Sequence, residues 1–166
     1  MGDEVQYLTP QDLLPYLAEV HDSNLRCLEM LSDEQLDFRP APEVMSIRQL
    51  FYHMYLKQKF YIQSIISREM DDSEYRNWLP FIPKNKEMLY SFIEGVFFET
   101  QELFEEPYWF TTTIETPAGK RPALHLILGD LAHQLHHRGQ LFTYMRLLGL
   151  TPPDSGNFLG RERGGE

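Results

Sequence analysis

Apolar residues recur at three- and four-residue steps through four long stretches of the chain, and the gaps between those stretches hold residues that stop helices. Thr9-Pro10-Gln11-Asp12 supplies a cap, a proline suited to the first helical position and an acid at the positive end. Leu13, Leu14, Leu17, Val20, Leu25, Leu28 and Leu31 then define a first helix to about Leu31, with Pro15 placing its regular start slightly later. Ser32-Asp33-Glu34-Gln35 has capping-box spacing and predicts a short helical turn. Arg39-Pro40-Ala41-Pro42 breaks the chain.

Ser46 caps a second helix, from Ile47 to about Arg68. Residues 69–83 read as a connection with one short helical turn, and a third helix follows from about Lys84 to Glu105. Tyr108 to Thr116 is aromatic and β-branched, so extended chain is expected there, with a turn at Pro117-Ala118-Gly119-Lys120. The fourth helix spans roughly Arg121 to Leu148, ended by Gly149 and Pro152-Pro153. The pattern is that of an all-α four-helix bundle over residues 1–153, with an extended segment or hairpin before the last helix. Residues 154–166 read as a loose Gly- and charge-rich tail.

Composition narrows the function classes. The 25 acidic residues outnumber the 15 basic ones, which argues against nucleic acid as a partner. A single cysteine, Cys27, excludes an internal disulfide framework. No uncharged apolar stretch is long enough to span a membrane, and Met1 to Tyr7 has no secretory pattern. A cytoplasmic protein is the plain expectation.

The chemistry concentrates in the last helix. His133 and His137 are four residues apart and share a helical face, so their nitrogens can aim at one ion. Two ligands do not hold a metal. His125 lies two turns away on the same helix and cannot join them. His53 can, if the second helix packs against the fourth. His21 and Cys27 read as structural, and His136 points about 100° away from His137. Alone, each histidine is more simply a core or surface residue.

The segments Ser46-Ile47-Arg48-Gln49-Leu50-Phe51-Tyr52-His53, His133-Gln134-Leu135-His136-His137-Arg138-Gly139-Gln140 and Leu147-Leu148-Gly149-Leu150-Thr151-Pro152-Pro153 resemble the DinB/YfiT-like superfamily. The resemblance runs from the first helix to the prolines after the fourth. It implies a four-helix bundle in which His53, His133 and His137 bind a divalent metal, zinc or nickel. It further implies a homodimer and, by analogy with members that are S-transferases or isomerases, a low-molecular-weight thiol and a small-molecule electrophile as reactants.

Three neutral histidines would leave the ion its charge and an open position, the layout of catalytic zinc. A water there gives a hydrolase and a thiol gives an S-transferase. The other class is a non-enzymatic stress-related or small-molecule-binding protein with a structural metal. Asp130, Glu19, Asp22 and Glu94 are candidates to accept from the ligands' second nitrogens. Arg138 suits either a substrate carboxylate or a carboxylate of the bundle. Tyr52 and Tyr55, beside His53, are candidates to line a substrate pocket, within an aromatic run (Phe51, Tyr52, Tyr55, Phe60, Tyr61) that reads as core and dimer interface. Gly139 is expected to mark close packing.

Overall fold

The computed structural model describes residues 9–153. Its helices are α1 (Pro10–Met30), α2 (Asp33–Leu36), α3 (Ile47–Ser67), α4 (Ser73–Trp78), α5 (Lys86–Glu105) and α6 (Ala123–Leu147). The four long ones form the bundle: α3 packs against both α5 and α6, and α1 closes on the same two. The expected tail lies outside the described residues.

Helix starts follow the capping residues. Ser32 and Gln35 exchange hydrogen bonds, Gln35 N donating to Ser32 Oγ at 3.2 Å and Ser32 N to Gln35 Oε1 at 2.9 Å. Ser46 and Gln49 repeat the device at the start of α3. α1 begins at Pro10 despite Pro15, which lies on its exposed side. α5 begins two residues after Lys84, because the Asn85 side chain accepts from Met88 N at 2.8 Å and so acts as the cap.

The segment before α6 differs most from the pattern. Its aromatic residues form a 3₁₀ turn over Pro107–Thr111, and Trp109 is fully buried there with its ring 4.8 Å from that of Phe104. Burial of the indole overrides local preference for extended chain. The ribbon is correspondingly short: β1 (Thr113–Ile114) pairs antiparallel with β2 (Arg121–Pro122), Thr113 opposite Pro122. Arg121 and Pro122 are spent on that pairing, so α6 starts at Ala123. Arg68, at φ 62°, ends α3 in the left-handed region, and its carbonyl accepts from Glu115 N at 3.0 Å, tying the ribbon to the end of α3.

Two apolar clusters fill the bundle. One gathers Cys27, Leu28, Phe51, Met54, Ile93, Leu141 and Met145, the other Leu13, Leu17, Ile62, Ile65, Leu103, Trp109 and Ile127. Along α1, α3 and α6 a buried polar group falls between the residues feeding the two clusters: His21 and Asn24, Gln58, and Asp130 and Gln134 respectively. Buried polar groups of this kind must pair with one another, and their pairing fixes how the helices slide. That layer positions the histidines.

Candidate metal centre

Gln134 sets the register of α6 against α3. Its Nε2 donates to the Met54 carbonyl at 3.1 Å and to Gln58 Oε1 at 3.3 Å, while its Oε1 accepts from Asn24 Nδ2 at 3.2 Å. Met54 follows His53 and Gln134 follows His133, so one buried side chain brings those two histidines level. Their Nε2 atoms lie 2.9 Å apart. His137, one turn along α6, completes the group, with ring centroids 4.9 Å from His53 and 4.4 Å from His133.

The three rings stand edge-on to one another, at 64°, 88° and 81°. One ligand atom from each lies within 4.8 Å of the others, and these histidines are the one such group found among the described residues. Nitrogens bound tetrahedrally at 2.0–2.1 Å stand about 3.3 Å apart, within the span seen here. The donor set therefore fits a divalent metal ion.

Electrostatics agree with that fit. Burial holds His53 down to about 4 and His133 down to about 3, helped in each case by neighbouring positive charge from the other imidazoles and Lys57. His137 is lowered by burial, against a smaller upward push from Gln140. All three are neutral at pH 7, and a neutral imidazole offers a lone pair. His137 Nδ1–H donates to Gln140 Oε1 at 2.7 Å, which leaves Nε2 as the free nitrogen.

Of the acids considered as partners for the ligands, none hydrogen-bonds one. Glu94 instead accepts from His21 Nε2 at 2.9 Å. Asp130 is buried, which pushes its carboxyl up to about 8 against a lesser opposing effect of Gln134. Its Oδ1 and the Nδ1 of His133 are both buried without a hydrogen-bond partner among the described residues. Gln140, to which the sequence assigned no role, is the residue that orients His137, and the i, i+3 spacing on α6 was the available signal.

The residues considered for substrate contact are placed as follows. Tyr55 is fully buried, with its hydroxyl on His21 Nδ1 at 3.0 Å and Asn24 Nδ2 at 3.4 Å. Tyr52 is buried and donates to the Trp78 carbonyl at 2.5 Å. Arg138 is buried with its guanidinium 5.8 Å from the Phe142 ring centroid, and its charge acts on Cys27 and Glu19 of α1. Phe51, Tyr52, Tyr55 and Phe60 are core rather than interface. His125 and His136 are exposed. Gly139 is not a close-packing site: a Cβ there would meet nothing within 4 Å.

The sequence pattern that defines the DinB family matches residues 1–159. The chain belongs to the DinB family. Solved structures of DinB-like proteins share its fold. One from Bacillus cereus is 22% identical at a TM-score of 0.73, covering 90% of this chain and 99% of its own. Another from Bacillus subtilis, YjoA, is 19% identical at 0.72, covering 89% and 99%. A third DinB family member, from Exiguobacterium sibiricum, is described as putative and is 19% identical at 0.63, covering 84% and 91%. No curated protein matches the chain. Identity at this level carries the DinB bundle and leaves the reaction to the chain's own residues.

Proposed function

We propose that this DinB protein is a metal-dependent enzyme that brings a low-molecular-weight thiol to a small-molecule electrophile, with hydrolysis as the near variant. The observation that carries the reading is the all-histidine donor set, three neutral imidazole nitrogens within 4.8 Å and no carboxylate or thiolate among them. A zinc or nickel ion so held keeps its full charge, and when bound it supplies Lewis acidity and lowers the pKa of a coordinating thiol or water.

The chain's own residues do the rest. Burial keeps His53, His133 and His137 unprotonated at neutral pH, so protons do not compete for the ligand nitrogens. Gln140 holds His137 in one tautomer and Gln134 holds α6 against α3. Tyr55, Tyr52 and Arg138 take supporting parts in this reading, since their polar ends are engaged within the bundle or directed to α1. A homodimer in the cytoplasm is the setting proposed for the reaction.

Among the described residues no helix is long and apolar enough to cross a membrane. The test is thiol consumption with a panel of electrophiles, measured on zinc- and nickel-loaded protein, metal-stripped protein and the His137→Ala variant. Turnover confined to the loaded native chain supports the reading. Equal rates in all four samples would remove it.

A further inference from the structure

We infer that Lys57, caged by Phe60, Tyr61 and Tyr75 one helical turn from His53, binds the anionic group of a small ligand whose other end occupies the metal centre. The inference rests on the metal-centre reading above and names the kind of ligand that centre takes. Lys57 follows His53 by four residues on α3, so the two share a face with a rise of about 6 Å between them.

The cage is defined by three contacts. Lys57 Nζ stands 4.7 Å from the Phe60 ring centroid, 5.0 Å from that of Tyr61 and 5.2 Å from that of Tyr75. Aromatic faces hold an ammonium without neutralising it. Among the described residues no carboxylate lies within 4.0 Å of Lys57, although acids pair with the cations around it. Lys59, two residues on, is taken by Glu99 at 2.5 Å. Asp72, whose charge does reach Lys57, is bound to Arg76 at 2.7 Å. A half-buried ammonium held by rings, with no carboxylate in contact among the described residues, gains from an anion that completes it.

The chain is strongly acidic overall, with a formal charge of −10, yet the His53 face of α3 carries the cation Lys57. The positive charge of Lys57 reaches both His53 and His133. A divalent ion would add two more positive charges to the same mouth. The complementary ligand is therefore a small molecule that carries both a metal-binding atom and a carboxylate-type anion. Were Lys57 merely packing on those rings, its replacement would leave ligand preference untouched.

Cobalt-substituted protein tests this through its visible spectrum, with 3-mercaptopropionate and its neutral methyl ester as probes. The acid should bind at least tenfold more tightly than the ester to the native chain. Lys57→Met should abolish that preference, and Lys57→Arg should retain it. Equal binding of acid and ester, or a preference that survives in Lys57→Met, would overturn the inference with the metal centre intact. Failure of the chain to take up cobalt would overturn the metal reading and this inference together.

Discussion

His21 and the triad of His53, His133 and His137 are alike in being withdrawn from water, and they differ in what their nitrogens meet. His21 is fully provided for within the protein: Nδ1 meets Tyr55 Oη, Nε2 donates to Glu94, and the ring stacks on Phe97 at 3.8 Å and 8°. In the triad, the Nε2 atoms of His53 and His133 face each other, and only the Nδ1 of His137 has a side-chain acceptor among the described residues, Gln140. Two Nε2 atoms 2.9 Å apart can share at most one proton, and among the described residues no carboxylate joins the three histidines to stabilise a second. Burial alone therefore does not distinguish a structural histidine from a ligand. The partner of each ring nitrogen does.

The contrast can be broken most forcefully by adding metal. Zinc at about a thousand times its dissociation constant should stabilise the native chain by ~4 kcal/mol, read as a rise in melting temperature. His133→Ala should lose that rise, and His21→Leu should keep it from a lower starting point. A zinc effect that survives in His133→Ala would place the ion elsewhere.

Next in size is the cost of removing His21 itself. His21→Leu strips a hydrogen-bond partner from both Tyr55 and Glu94, and denaturant unfolding should show a loss of about 2 kcal/mol. Metal stoichiometry should stay unchanged, which separates the two classes of histidine. Gln140→Ala sharpens the other side. Freed from its acceptor, His137 should bind metal about 10–100-fold more weakly, measured by chelator competition, with folding stability nearly unaltered.

Acid gives the subtlest distinction. An unfolded histidine titrates near ~6.5, whereas His53 and His133 in the fold stay neutral to about 4 and about 3. The unfolded chain thus binds protons that the folded chain refuses, and stability of the metal-free protein falls as pH drops from 6.5 towards 4. His133→Phe should flatten part of that fall in thermal melts across this window. An unchanged slope would show that the triad does not carry the acid sensitivity.

The bundle and the histidine cluster were legible in the sequence for different reasons. Helix starts at Ser32 and Ser46 were readable because capping is local, a side chain meeting a backbone group three residues on. The HxxxH pair on α6 was readable through helical period, and His53 joined it through a family resemblance that spacing alone could not replace. What escaped depends on neighbours distant in sequence. The 3₁₀ turn around Trp109 forms because the indole is buried against Phe104, which overrides the extended preference of its neighbours. The part of Gln134 is invisible until α3 lies opposite, because its acceptor is a backbone carbonyl 80 residues away. Gly139 misled in the other direction, being a helical glycine with open space where close packing was expected.

The central claim is that His53, His133 and His137 hold one divalent ion and His21 holds none. Metal content by mass spectrometry on tag-free protein, with His53→Ala, His137→Ala and His21→Leu prepared alongside, tests it most directly. About one zinc or nickel per chain in the native and His21→Leu proteins, and none in the other two, is the predicted result. A native chain that carries no metal and takes up none on titration would contradict it.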